Sequence, residues 1–269
     1  MTPPDPLYLS TAIEAVLAAG RIQLSFFRSD LRIDKKGTID LVTEADVAVE
    51  RAFRDLIAVR FPSHAVLAEE MGAGGARDAS HVWIFDPIDG TTNFAHGIPF
   101  FCSSLALEID GVLAVAAIYD PVSRDLYTAE RGVGAWLNGE RLQVSATERL
   151  IEGVVCTGFP YSIVQERTEP LALFGRFLGA SRAVRRFGSA ALDLAFVAAG
   201  RLDGFWEGHL HPWDIAAGAL LVEEAGGRVT SYDGGPFEAR SGQILASNGK
   251  VHDAMLGIIR DRRDRPVSN

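Results

Sequence analysis

Four groups of acids carry the first suggestion of chemistry. In Asp86-Pro87-Ile88-Asp89-Gly90-Thr91-Thr92-Asn93-Phe94, an apolar run, His81-Val82-Trp83-Ile84-Phe85, leads straight into two acids spaced by three. A buried strand ending in a turn bounded by Pro and Gly can deliver both carboxylates to one space. Hard divalent cations take carboxylate and carbonyl oxygens, and two cations held close together need a bridging carboxylate. Gly90 lets backbone approach a ligand closely, and a helix opening at Thr91 would turn free amides toward a phosphate. Taken alone, Asp-x-x-Asp-Gly is equally well an ordinary turn with Asp as a cap.

The other acids are Glu69-Glu70, after the short strand Ala65-Val66-Leu67; Asp46, in Thr43-Glu44-Ala45-Asp46; and Asp214, before the helical run Ile215-Ala216-Ala217-Gly218-Ala219-Leu220. Each has a plainer meaning by itself. Glu69 is a solvated loop acid, Asp46 is helix-start charge, and Asp214 is an N-cap. Their joint occurrence with the Asp-Pro-Ile-Asp-Gly-Thr loop in one order lifts all four above these readings, and a phosphate monoester is a substrate whose chemistry would suit such a set. Such a substrate is doubly anionic and repels an anionic nucleophile unless cations neutralise it, while a cation also acidifies water and stabilises the departing alkoxide. Attack by water then needs no phospho-enzyme. The alternative strategy, a nucleophilic Asp in Asp-x-Asp-x-Thr, spaces its acids by two, and here they are three apart with Pro after the first.

These residues need a mixed α and β scaffold. Apolar residues recur at helical spacing from Leu7 to Phe27, and a second helix opens at Thr43 and Asp46 and runs to about Arg60, where Pro62 stops it. Lys35-Lys36-Gly37 is expected as an exposed turn and Gly72-Ala73-Gly74-Gly75 as a flexible segment. Strands are expected around His81–Phe85, Ser103–Glu108, Leu113–Tyr119 and Asp125–Ala129, with a hairpin at Ala135-Trp136-Leu137-Asn138-Gly139. After Leu150 strands (Val154–Thr157, Ala183–Arg186) alternate with helices (Ala190–Ala199, Ile215–Ala225), and Gly226-Gly227 ends the last helix. Residues 1–150 and 151–269 are approximate halves of one unit, and Arg262 to Asn269 is a frayed tail.

Composition narrows the partners. With 269 residues, 48% hydrophobic, the chain can bury a substantial core, and a formal net charge of −9 disfavours nucleic acid and anionic membrane. Cys102 and Cys156 lie in apolar runs, as reduced core thiols do. The N-terminus lacks the basic start and apolar block of a signal peptide, and no apolar run reaches the ~20 residues needed to span a bilayer. Cytoplasmic location is the expectation.

With these motifs in one order, the sequence resembles the inositol monophosphatase family, within the lithium-sensitive, magnesium-dependent phosphatase superfamily that includes fructose-1,6-bisphosphatases. The resemblance covers about residues 8 to 260. It rests on Trp83 to Phe94, on Trp213-Asp214-Ile215-Ala216-Ala217-Gly218 continuing to Glu224-Ala225-Gly226-Gly227, and on Leu41 to Asp46. Thr157-Gly158-Phe159-Pro160-Tyr161 and Arg186-Phe187-Gly188-Ser189-Ala190-Ala191 complete it. One departure is Ala68, where the family usually has Gly; a small backbone adjustment is expected, not a lost metal.

The resemblance implies a layered α-β-α-β-α sandwich, a homodimer, lithium sensitivity and two or three Mg²⁺ per site. Glu69, Asp86 and the Ile88 carbonyl would hold the first ion, with Thr91 close by. Asp86, Asp89 and Asp214 would hold the second, Asp86 bridging, and a weaker third would lean on Glu69. Asp46, Glu69 and Thr91 are the catalytic set, with Thr91 hydrogen-bonded to Asp46 and orienting the activated water. Asp89, Gly90, Thr91 and Asp214 would meet the substrate along with Gly188, Ala190 and Glu207, which correspond to polyol-contacting positions.

The implied reaction is hydrolysis of myo-inositol monophosphate. Histidinol phosphate, fructose-1,6-bisphosphate or a nucleotide phosphate are alternative substrates, and a regulatory protein-binding role with the transcription machinery is an alternative of another class. His209 and His211 could bind zinc but are expected as second-layer or rim residues, and His96, after the metal loop, is expected to border the pocket. Arg185-Arg186 could attract a second phosphate but is expected as a structural or dimer-surface feature, and Trp83, Trp136 and Trp206 as core or interface fillers.

Overall fold

The computed structural model of the chain describes residues 5–29, 33–35, 41–75, 79–159, 163 and 168–261, with backbone alone at 33–35, 41 and 42. Arg262 to Asn269, Lys36-Gly37 and Pro160-Tyr161 lie outside the described residues.

The chain opens with α1 (Pro6–Phe26), capped by Asp5, whose side chain accepts the Leu7 amide at 2.9 Å. A two-stranded ribbon follows, β1 (Ile33–Lys35) with β2 (Leu41–Thr43), so Lys35 pairs with Leu41 instead of standing in a turn. Helix α2 (Glu44–Arg60) starts on a capping box: the Thr43 hydroxyl accepts the Ala45 amide, and Asp46 at the third helical position accepts the Thr43 amide at 2.8 Å.

A large sheet comes next, built from β3 (Ala65–Ala68), β4 (Gly72–Gly74), β5 (His81–Asp89), β6 (Cys102–Ile109), β7 (Val112–Asp120), β8 (Asp125–Glu130), β9 (Gly134–Leu137) and β10 (Glu140–Arg141). Its order is β10-β9-β8-β7-β6-β5-β3-β4, antiparallel throughout except for the parallel β3–β5 pair. The glycine-rich segment expected to be flexible is in fact the edge strand β4, because pairing with β3 satisfies its backbone groups. Asn138-Gly139 turns β9 into β10 with φ of 50° and 86°, both left-handed as a tight hairpin turn demands. The five-residue helix α3 (Thr91–Ala95) sits between β5 and β6.

The second half holds β11 (Val154–Thr157), α4 (Thr168–Ala180), β12 (Ala183–Arg185), α5 (Ala190–Ala198), β13 (Gly204–Gly208), α6 (Pro212–Glu224), β14 (Arg228–Thr230), β15 (Gln243–Ser247) and α7 (His252–Arg260). These strands form a smaller sheet, β12-β11-β13-β15-β14, parallel across β12-β11-β13 and antiparallel beyond. Helices α4 and α7 and strands β13 to β15 were not individually legible in the sequence.

Alternation along the strands sorts the core into layers. Trp83 and Phe85 of β5 pack outward under α1 and α2 with Val16, Val49 and Phe53, whereas Ile84 faces inward onto α5 and α6. In β13, Phe205 faces the same central helices and Trp206 faces out toward α4 and α7, stacking on Phe177 at 3.7 Å between ring centroids. The expected α-β-α-β-α sandwich is therefore observed. Both faces of each sheet are covered, so central strands read as continuous apolar runs.

Helices α5 and α6 share the middle layer. A Cβ added at Gly218 would lie 2.5 Å from Leu194 Cβ, an atom no rotamer change can move away. Ala improves helix propensity by about 1 kcal/mol over Gly, but overpacking costs about 1–3 kcal/mol. Gly218→Ala is expected to lower the urea midpoint at unchanged slope, a net loss on the order of 1 kcal/mol.

Candidate active site

The pocket forms where β5 breaks its register. Asp86 pairs with Ser104 of β6, and pairing resumes with Asp89 opposite Cys102, so three steps on β5 match two on β6. In a regular strand residues three apart point to opposite faces; the extra residue in this bulge re-aims Asp89 onto the side of Asp86. Pro87, which has no amide to donate, occupies the bulge. From α1, the buried Gln23 amide donates to the Pro87 carbonyl at 2.7 Å and to Ser103 Oγ at 2.9 Å, pinning the irregular segment. Gly90 then caps α3 at φ 98°, with the Phe100 and Gly188 carbonyls 3.0 and 3.3 Å from where a Cβ would stand. A side chain there would be strained and crowded.

Asp86, Asp89 and Asp214 each have an oxygen anchored by a neighbour. Asp86 Oδ1 accepts the Ile88 amide at 2.9 Å. Asp89 Oδ2 accepts the Ser189 hydroxyl and the Ala191 amide, both at 2.6 Å, at the start of α5. Asp214 Oδ2 accepts the His211 amide at 2.6 Å; the residue occupies the third position of α6, not its N-cap, which is His211. Glu69 follows β3, whose last residue, Ala68, is buried and pairs in parallel with Phe85, so Glu69 stands beside Asp86. The Glu69-Glu70 turn is held from α2 by Glu50, which accepts the Glu70 and Met71 amides at 2.7 and 3.0 Å.

These residues line one cavity of about 630 Å³. Glu69, Asp86, Ile88, Asp89, Gly90 and Thr91 of the first half line it together with Gly188, Ala190, Glu207 and Asp214 of the second. Every expected site residue except Asp46 is in the lining. Asp46 is fully buried behind it, with Oδ2 accepting the Thr43 hydroxyl at 2.6 Å. The hydroxyl of Thr91, expected to bond Asp46, instead donates to the Ile88 carbonyl at 2.9 Å; a hydroxyl has one proton, and the α3 turn brings that carbonyl closest to it. Arg186 also lines the cavity, correcting its assignment to a structural or dimer surface. His209 and His211 lie at the rim as expected, His211 stacked on Trp213 at 4.8 Å. His96 is exposed and outside the lining.

Residues missed from sequence include Gln23, Asn93, Ser104 and Asp193. Asn93 donates to the Phe100 and Phe187 carbonyls at 2.8 and 2.9 Å, and Ser104 donates to the Trp213 carbonyl at 3.1 Å, so both tie the two halves together across the pocket. Only the interlayer contact marks them, and no local pattern carries that.

Burial dominates the electrostatics. It pushes the Asp86 carboxyl well above its ordinary range, reinforced by Glu69, Asp89, Asp214 and Asp46. Asp214 is raised likewise, first by burial and then by Asp89. Asp89 rises to about 6, burial outweighing the Ser189 and Ala191 hydrogen bonds, and Glu207 rises to about 8 through burial, Asp193 and Asp89. Arg186 is the one Lys or Arg among the described lining residues. Among the described residues no three acid, histidine or cysteine side chains close on a single point; the acids surround the pocket instead. An all-oxygen set of buried, mutually repelling carboxylates and a carbonyl fits hard divalent cations and suits softer metals poorly.

A sandwich of this topology with an acid-lined pocket at a strand bulge defines a class of hydrolase, and comparison with known proteins places the chain within it. The profile of the inositol monophosphatase family matches residues 7–265. An inositol-1-monophosphatase of Synechocystis sp. is 44% identical over 92% of this chain and 87% of that protein. The Nus factor SuhB of Escherichia coli K12 is 42% identical over 94% of this chain and 96% of its own length. Among solved structures, the extragenic suppressor protein suhB of Bartonella henselae superposes with a TM-score of 0.91 at 39% identity, covering 95% of this chain and 99% of that one. An inositol monophosphatase from Anabaena gives 0.86 at 42% identity, covering 94% and 95%. The chain belongs to the inositol monophosphatase family, and it is a phosphatase of phosphate monoesters.

Because the folded-state values of Asp86, Asp89, Asp214 and Glu207 are raised, their contribution to stability is intact below about pH 4 and is lost as pH rises through the folded values. The melting temperature of chelator-treated protein is therefore expected to fall between about pH 5 and about pH 8. Added Mg²⁺ should raise it more at the higher pH, since ligands bind deprotonated. A Mg²⁺ effect independent of pH would contradict this.

Proposed function

We propose that the chain hydrolyses the phosphate monoester of a polyhydroxylated alcohol, foremost myo-inositol monophosphate, to the free alcohol and phosphate, with Mg²⁺ as cofactor. The observation that carries this is the convergence of Glu69, Asp86, Asp89 and Asp214 on one pocket that also contains the buried Glu207. Glu69, Asp86 and the Ile88 carbonyl would hold one ion, Asp86, Asp89 and Asp214 a second, and Glu69 a weaker third. When bound, the ions neutralise the dianionic phosphate, make water more acidic and stabilise the departing alkoxide.

The chain's own residues position the reactants. Thr91 Oγ1, its proton committed to the Ile88 carbonyl, has lone pairs left to accept a hydrogen bond from the attacking water and so fix its direction. Asp46 and Glu69 stand in the same acidic field, and both raise the Asp86 carboxyl. The first amides of α3 have no partner four residues back within the helix, and with Gly90 they would face the phosphate. Across the pocket, Glu207 can accept hydrogen bonds from alcohol hydroxyls, beside the backbone of Gly188 and Ala190.

Several finer assignments belong to the same proposal: one catalytic unit comprising both halves, a homodimer, a cytoplasmic site of action and lithium sensitivity. No helix among the described residues is long and apolar enough to cross a membrane. A second, protein-binding role alongside catalysis is supported by relatives bearing the name Nus factor SuhB at 42% identity.

Phosphate release should be measured on inositol monophosphate, histidinol phosphate, fructose-1,6-bisphosphate and adenosine bisphosphate, with and without Mg²⁺. Inositol monophosphate is expected to show the highest kcat/KM; a strong preference for histidinol phosphate would replace the substrate and leave the mechanism. Asp89→Asn, which keeps an oxygen for Ser189 and Ala191, is expected to lower Mg²⁺-dependent turnover at least about 100-fold. Unchanged turnover would refute the mechanism.

A further inference from the structure

Glu207 is held from an unexpected direction. It lies on β13, whose parallel pairing with β11 sets Thr157 opposite Trp206, and the Thr157 hydroxyl locks that register by donating to the Trp206 carbonyl at 2.6 Å. The next residues in each strand direction, Gly158 and Glu207, are thereby brought face to face. A Cβ added at Gly158 would overlap both carboxylate oxygens of Glu207 and its carboxyl carbon. The Gly158 backbone amide favours the charged form of that carboxylate. Gly158 is absent from the residues with left-handed φ, so its backbone suits any residue and space alone demands a glycine.

We infer that Gly158 is the positioning residue for alcohol recognition: its missing side chain fixes where the Glu207 carboxylate stands. The inference rests on the polyol-phosphate function proposed above. What a Cβ at 158 would displace is the far end of a flexible side chain, not backbone, so the fold can absorb the change while Glu207 must swing away. A displaced Glu207 leaves the position from which it would meet the alcohol, beside the buried Asp193.

The test compares kcat/KM for inositol monophosphate with kcat/KM for p-nitrophenyl phosphate, an aryl monoester with no polyol. In Gly158→Ala this selectivity ratio is expected to fall about ten- to hundredfold, the scale of withdrawing one partner of a buried hydrogen bond, chiefly through KM for the inositol ester. The same substitution made in Glu207→Ala protein should leave the ratio of that background unchanged, since the atoms it would strike are gone. If Gly158→Ala folds poorly, recovery of its melting temperature in the Glu207→Ala background supports the contact, and failure in both backgrounds overturns it. A wild-type protein with no preference for the inositol ester would refute the substrate assignment itself. A wild-type preference retained in Gly158→Ala would overturn this inference alone.

Discussion

Holding several carboxylates together out of water is the constraint around which this protein is built. Desolvation and mutual repulsion both act against ionised Asp86, Asp89 and Asp214. The fold answers with fixed donors: the Ile88 amide for Asp86, the start of α5 for Asp89 and the start of α6 for Asp214. None of these neutralises the charge. They set direction, so that the remaining demand for positive charge is concentrated in one cavity, which is what a site for hard cations and a dianionic ester requires.

The geometry that concentrates the charge comes from irregularity supported by regular elements. The β5 bulge would be a weak point in isolation, with an unpaired residue and a proline in a central strand. Gln23 of α1 clamps its carbonyl from the outer layer, and Ser104 and Asn93 fasten its flanks to segments of the second half. Neither half builds the pocket alone: Asp89 comes from the large sheet and its anchors come from α5, 100 and 102 residues later.

The opposite wall follows a different logic. In the proposed reaction phosphate recognition would fall to acids that take up cations and alcohol recognition to Glu207, a single carboxylate whose environment is tuned by Arg186, Asp193 and the Gly158 amide.

Local patterns determined much of this protein. The β5 run and its acids, the capping box at Thr43 and Asp46, the hairpin at Asn138-Gly139 and the close of α6 at Gly226 were legible because each depends on neighbouring residues and short-range geometry. The family resemblance carried by the motifs implied the layered fold and the gathering of the acids into one site. Three-dimensional pairing decided the rest. Gly72–Gly74 became a strand because β3 lay beside it, Thr91 bonded the Ile88 carbonyl because the α3 turn set that distance, and Arg186 reached the pocket because β12 ends there. Gly-Phe-Trp-Glu-Gly became β13 only between β11 and β15, which put Glu207 against Gly158. Contacts between residues dozens of positions apart leave no periodic trace in the chain, so side-chain direction at the acids and at the alcohol wall was settled by packing alone.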